Sequence, residues 1–355
     1  MRVVFFGTPA FAVPSLEALQ RAGVEVIAVV TQPDRPRGRS HSTLLPCPVK
    51  AAAVAAGLPV FTPENPRDPE FMAALTALAP DLGVVVAYGH LLRPALLAIP
   101  RLGLVNVHAS ILPRWRGAAP IHWAIKAGDA ETGVSIMRVE QGLDSGGVWH
   151  IRRTPIDPTD TTGMLFDRLA HLGAEALIEA LPRIAAGEEP VAQDPAGVTH
   201  APKVTRDNAR VDWHQPAEVV DAQIRAMDPA PGAWTTEGGR AIKLFGVKNE
   251  TDIPSSRAER GTSAPADNSN SGVPGCGNDR GPSLRSGRGA PDPRSPFTVH
   301  DGTAPGTIAM QSGIVMVACA DAFIPLGDVT PAGGKRQSAL SWYRGAQLPD
   351  GVVFE

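Results

Sequence analysis

Asn106, His108 and Ser110 stand at alternate positions in the run Asn106-Val107-His108-Ala109-Ser110-Ile111-Leu112-Pro113. Asp144 follows in a glycine-rich run, Gly142-Leu143-Asp144-Ser145-Gly146-Gly147. Residues two apart share one face of a strand. An amide, an imidazole and a hydroxyl are therefore expected on one face, with a carboxylate downstream to orient the imidazole. This set suits acyl transfer to an amine without a metal or a covalent enzyme intermediate. An amide and an imidazole N–H can stabilise an oxyanion. A histidine titrating near neutrality can take a proton from the attacking ammonium and return one to the leaving nitrogen.

Other chemistries fit less well. Ser110 as a nucleophile lacks the Gly-x-Ser-x-Gly elbow. His108 as a metal ligand lacks spaced partners: His122 is available, but there is no His-Glu-x-x-His and no cysteine pair. Cys47 has no evident base and reads as buried structure. Taken singly, Asn106 and Ser110 could cap a turn at a strand end, and Asp144 could be a turn residue. The segment Pro113-Arg114-Trp115-Arg116-Gly117 reads either as a contact for an anionic or aromatic ligand or as a solvated basic loop.

These residues must be held by a scaffold. Residues 1–185 alternate apolar strands (Arg2–Phe6, Glu25–Val30, Leu82–Val86, Gly103–His108, Gly133–Val139) with helices. The expected helices are Pro14–Arg21, Pro48–Ala56, Pro69–Leu78, Pro94–Ala98, Ala118–Ala127 and Thr162–Ala186. Runs such as Leu82-Gly83-Val84-Val85-Val86 fit a sheet covered on both faces. The reading is a Rossmann-like α/β domain with a mostly parallel sheet, whose ligands bind at the carboxyl ends of strands. The first turn, Gly7-Thr8-Pro9, lacks the Gly-x-Gly-x-x-Gly of dinucleotide binders.

The domains expected are 1–186 (catalytic), 187–206 (a linker punctuated by Gly and Pro) and 207–355. The last has a helix at Pro216–Met227. Short strands follow at Ala233–Thr236, Ala241–Val247, Gly306–Gln311, Gly313–Cys319 and Ala322–Val329, as in a small OB-like β-barrel. Much of the chain's excess of glycine and proline (36 and 35) falls at 250–305. That segment has too few large apolar residues to offset its ordering entropy and reads as a disordered insertion in a barrel loop.

At 355 residues, with 43% apolar and 19% charged, the chain can bury two cores. A net charge of −3 favours neither nucleic acid nor membrane by itself. Three scattered cysteines give no disulfide framework or zinc site. The opening apolar run is too short for a signal peptide core, and no stretch is long enough to span a bilayer. A cytoplasmic location and a monomer are expected.

The run from Asn106 to Ile121 closely resembles the methionyl-tRNA formyltransferase family of folate-dependent formyltransferases. So do FFGTPAFA (5–12), TQPDRPRGR (31–39), VVVAYGHLL (84–92), AGDAETGVSIM (127–137), HAPKVTRDNARVDW (200–213) and LGDVTPAGGKR (326–336). The resemblance implies formyl transfer from 10-formyltetrahydrofolate to the α-amino group of initiator methionyl-tRNA, with no metal. It implies Asn106, His108 and Asp144 as the catalytic trio. Ser110, Ile111, Leu112 and Pro113 would form the folate-contacting stretch, and Arg37, Arg39 and Lys203 would contact tRNA. Two departures stand out: relatives often carry lysines after the residue at Arg39, and Ile111 replaces a usual leucine. Outside the insertion the second domain is not basic, so the loop at 31–50 is expected to carry much of the electrostatic grip. Rival readings are a folate-dependent formyltransferase acting on glycinamide ribonucleotide or an amino sugar, and a binding protein that keeps the fold without turnover. The WRGAAPI segment, the GTPAFA opening and the second domain favour the first reading over its sister enzymes. The intact trio argues against loss of turnover.

Overall fold

The computed structural model describes residues 1–37, 43–246, 297–298, 302–311, 313–348 and 351–355. Its elements in chain order begin with β1 (Arg2–Gly7), α1 (Val13–Arg21), β2 (Glu25–Val30), β3 (Arg35–Arg37), β4 (Thr43–Leu45) and α2 (Pro48–Ala55). Next come β5 (Val60–Phe61), α3 (Pro69–Ala77), β6 (Leu82–Val86), α4 (Pro94–Leu97), β7 (Leu104–His108) and β8 (Arg116–Gly117). Then follow α5 (Pro120–Lys126), β9 (Glu131–Arg138), β10 (Val148–Pro155), α6 (Thr162–Ala185) and β11 (His200–Ala201).

Seven strands form one sheet in the order β10-β9-β7-β6-β1-β2-β5. The pairings β5-β2-β1-β6-β7 are parallel, while β9 and β10 add antiparallel strands at one edge. From β1 the chain winds outward to β5 and returns to β6 on β1's other side. That reversal opens a crevice at the strands' carboxyl ends, the usual ligand site of such sheets. Thr8 donates to the Tyr88 carbonyl (3.2 Å) and Gln32 Nε2 donates to the same oxygen (3.0 Å), tying the ends of β1, β2 and β6 together.

Local chemistry explains the helices. Proline occupies the first turn of α1 through α5, where a missing N–H costs nothing. Asp68 caps α3, accepting from Glu70 N at 2.8 Å and Phe71 N at 3.3 Å. On α6, Leu165, Leu169, Leu177, Leu181 and Ile184 are buried. Each such side chain contributes about 1.5–3 kcal/mol on leaving water. Gly173 lies where this helix crosses the site strand; a Cβ there would meet Val107 at 2.8 Å. Its lack of a side chain brings α6 close beneath β7.

The second part begins with α7 (Ala217–Met227), β12 (Ala233–Glu237), β13 (Arg240–Phe245) and β14 (Phe297–Thr298). It continues with β15 (Ile308–Gln311), β16 (Ile314–Ala318), β17 (Ala322–Pro325), β18 (Asp328–Pro331), β19 (Gln337–Ser338) and α8 (Ala339–Ala346). Its strands pair antiparallel in two four-stranded sheets, β12-β13-β18-β19 and β14-β17-β16-β15. Near the chain's end Phe354 stacks on both Trp213 and Trp342. The expected strand Ala322–Val329 is broken in two, because at Leu326 and Gly327 the chain leaves the sheet of β17 and enters that of β18. The edge strand β10 and helix α8 were not anticipated. Most of the expected 250–305 insertion, with Cys276, lies outside the described residues. No helix among the described residues is long and apolar enough to cross a membrane.

The two parts meet where α5 packs on α7. Trp123 donates to the Pro202 carbonyl (2.8 Å), Thr162 to that of Ala226 (2.7 Å) and His122 Nε2 to that of Ala230 (3.2 Å). Burial lowers the His122 pKa below its usual 6.5, against the opposing effect of the Ala230 bond. The unfolded chain then binds a proton at this site more readily than the folded one. Stability from this group is present above about pH 6.5 and is lost as pH falls toward the folded pKa. Between pH 7.5 and 5.5 the wild-type melting temperature is expected to fall further than that of His122→Asn. Parallel slopes in calorimetry would remove His122 from this role.

Candidate active site

The β7 strand carries Asn106 and ends at His108, where the parallel sheet opens at its carboxyl edge. Asn106 is half-buried, and no described residue exchanges a hydrogen bond with its amide. His108 is buried at 5% exposure. Its Nε2 lies 2.9 Å from the Trp115 carbonyl oxygen. A carbonyl only accepts, so Nε2 carries the proton and the neutral ring keeps its lone pair on Nδ1. The Nδ1 atom lies 3.6 Å from Asp144 Oδ2. That is too long for a hydrogen bond but close enough for a strong charge interaction once the ring is protonated. The ring's orientation thus rests on Trp115, where the sequence pointed to Asp144.

Asp144 is held separately. Its Oδ2 accepts from Gly117 N at 2.8 Å, and its backbone is left-handed, with φ +46°. Trp115 is also left-handed, at φ +63°. Side chains rarely adopt this conformation, which costs about 1–3 kcal/mol and persists only where neighbours enforce it. The Trp115 enforcers are visible: its N donates to Thr199 Oγ1 (2.9 Å) and its indole N–H to Asp129 (2.7 Å). Arg114 grips the same Asp129 with two bonds of 2.9 and 2.6 Å and lies over the Trp115 ring. The basic run therefore includes a structural clamp, and Arg114 is occupied within the protein.

Ser110 shares this economy. Its hydroxyl donates to the Arg114 carbonyl at 2.6 Å, bracing the turn, and the residue is fully buried, so its proton is committed and its oxygen is shielded. Ser135 donates to the Ser110 carbonyl (2.7 Å) and accepts from Leu112 N (3.0 Å), fixing the loop's path. Leu112 is buried against Met137 and Val148, while Ile111 and Pro113 stay partly open. A cavity of about 330 Å³ runs along Leu112, Pro113, β10 and the segment from Val191 to Asp194. Lys203 is exposed. Arg37 belongs to β3 of a small hairpin with β4, and Arg39 lies outside the described residues. Among the described residues, no group of three or more His, Cys, Asp or Glu is placed to hold a metal.

Several site residues were not legible in the motif. Trp115 acts through its carbonyl, which any residue possesses. Thr199 and Gln193 come from a segment that read as linker. Gly117 is the exception: a glycine in a motif signals close backbone approach. A Cβ on Gly117 would sit 2.6 Å from the Ala201 oxygen of β11, and its φ is +128°. Gly117→Ala is expected to cost about 1–3 kcal/mol in urea denaturation and to unseat the amide on Asp144. The tautomer is directly testable. Nitrogen-15 spectra at pH 8 are expected to show His108 protonated at Nε2; protonation at Nδ1 alone would contradict the Trp115 bond.

Comparison with known proteins identifies the family. The formyl transferase family model covers residues 1–181, and the formyl transferase C-terminal domain covers 203–281. The methionyl-tRNA formyltransferase of Frankia casuarinae is 43% identical over 356 residues, spanning 100% of this chain and 96% of the relative. That of a Nocardioides species is 42% identical, over 99% of this chain and 97% of the relative. That of Xanthomonas campestris is 54% identical over 70% of this chain and 80% of the relative. Two solved structures share the fold at low identity. The N-formyltransferase of Helicobacter canadensis, in complex with folinic acid and dTDP-3-aminofucose, gives a TM-score of 0.60 at 14% identity, covering 94% of this chain and 99% of the other. HypX of Aquifex aeolicus in complex with tetrahydrofolic acid gives 0.57 at 16% identity, covering 97% of this chain; the match spans 47% of HypX. With a family model over half its length and relatives above 40% identity end to end, the chain belongs to the methionyl-tRNA formyltransferase family of formyl transferases.

Proposed function

We propose that this chain transfers the formyl group of 10-formyltetrahydrofolate to the α-amino group of methionine on initiator methionyl-tRNA. The observation that carries it is an unengaged Asn106 amide two residues from an imidazole with an open Nδ1, both at the carboxyl end of a parallel strand in a member of this family. The donor supplies a formyl group activated on nitrogen. The Asn106 amide donates to the formyl oxygen as charge builds there. Nδ1 of His108 takes the proton lost by the attacking ammonium and returns it to the departing nitrogen. With Nε2–H committed to Trp115, the ring can donate toward an oxyanion only from a protonated Nδ1. Asp144, 3.6 Å from that atom, offsets the charge while the proton is there.

The rest of the assignment follows the same reading. The stretch Ser110, Ile111, Leu112 and Pro113 lines the folate side, with contact through main chain and the open faces of Ile111 and Pro113, since Ser110 and Leu112 are buried. Arg37, Arg39 and Lys203 carry acceptor contact. Residues 1–186 act as the catalytic domain, the 187–206 linker braces its site, and 207–355 act as an OB-like tRNA-side domain. A monomer in the cytoplasm completes the proposal.

The test is a formylation assay with methionyl-tRNA, glycinamide ribonucleotide and a nucleotide-linked amino sugar side by side. Product on methionyl-tRNA alone is expected. Asn106→Ala and His108→Ala should each lower kcat by about 10²- to 10⁴-fold; full activity in either removes that residue from the chemistry. Arg39→Glu should raise KM for tRNA and flatten its salt dependence without changing KM for the folate. Faster formylation of the amino sugar would favour the sister reading.

A further inference from the structure

Residues 182–202 fall between the two family models, yet they reach into the active site. Val191 bridges Val148, and β11 pairs in parallel with β8. Gln193 uses its whole hydrogen-bonding capacity there. Its Nε2 donates to the carbonyls of Asp144 (2.8 Å) and Gly146 (2.7 Å). Its Oε1 accepts from Arg116 Nε (3.0 Å) and Nη2 (2.7 Å). Arg116 precedes Gly117, whose amide holds the Asp144 carboxylate. The contacts therefore close a ring from the Asp144 carboxylate through Gly117 and Arg116 to Gln193 and back to the Asp144 main chain.

We propose that Gln193 is a positioning residue that sets the placement of Asp144 against Nδ1 of His108. This rests on the proposed role of that pair. The physical case begins with the Asp144 backbone, left-handed at φ +46°. A non-glycine residue relaxes from that region unless its surroundings fix it, and the Gln193 amide grips both Asp144 and the residue two beyond it. Gln193 is half-buried and buries little apolar surface, so its contribution lies in these four bonds and not in core packing. Its effect is local to one loop and one carboxylate.

Gln193→Glu separates the two halves of the side chain. It keeps acceptor oxygens for Arg116 but turns an oxygen toward two carbonyls in place of donors. Gln193→Ala removes both halves. Full-length wild-type and variant proteins are compared in three readouts. In the formylation assay both variants are expected to lower kcat by about 10- to 100-fold, with KM for folate and tRNA within about twofold. The His108 ring resonances are expected to move in spectra of the unliganded variants, which remain folded at the assay temperature. Unchanged kcat with unchanged His108 resonances in Gln193→Glu would overturn the proposal, as would a loss of rate matched by a loss of folded protein. A wild-type protein that formylates no methionyl-tRNA sinks the functional reading instead, and the His108 spectra still decide the role of Gln193.

Discussion

A neutral imidazole has one N–H, and in this protein the Trp115 carbonyl takes it. Much of the site follows from that bond. It fixes which nitrogen is basic and turns that nitrogen toward Asp144. It also makes a strained backbone worth keeping, since the Trp115 carbonyl reaches His108 from a left-handed residue. The clamp of Arg114, Trp115 and Asp129 and the bond from Trp115 N to Thr199 hold that strain in place. The placement of the imidazole depends on main-chain atoms of a loop whose side chains are spent on holding the loop itself.

The sheet supplies the complementary constraint. Parallel strands end together, and their last residues must satisfy polar groups where the apolar layer stops. At β1, β2 and β6 this is done by Thr8 and Gln32 on the Tyr88 carbonyl. At β7 the equivalent positions carry Asn106 and His108, and the Asn106 amide is left open. Elsewhere, burial and local bonding keep other reactive groups silent. Burial, with the charges of Asp321 and Asp221, pushes the Cys319 thiol up to about 12, and burial does the same to the Tyr88 phenol. Cys47 serves as a helix cap, accepting from Lys50 N.

Legibility in the sequence followed physical type. Strands buried on both faces, such as Leu82–Val86, were plain because they are continuously apolar. Helices opening on proline were found to within one or two residues at most ends. The β10 strand was missed because His150, Arg152, Arg153 and Pro155 leave it few apolar residues and it lies beside a glycine-rich turn. Asn106, His108 and Asp144 could be singled out because their side chains carry recognisable chemistry. Trp115, Thr199 and Gln193 could not. The first contributes a carbonyl, and the others act across 84 and 49 residues of chain, with no periodicity to announce the contact.

The parallel pairing of β8 with β11 bears on how this molecule could be cut or recombined. A boundary drawn at residue 181 or 186, where the first domain's long helix ends, would assign Gln193, Thr199 and the Ala201 carbonyl to the other partner. An exchange of C-terminal modules at that point would import a foreign brace for the imidazole and its carboxylate. The seam that leaves the chemistry intact lies beyond Ala201. The module that carries this site, defined by what it needs to hold its own atoms, is longer than its fold.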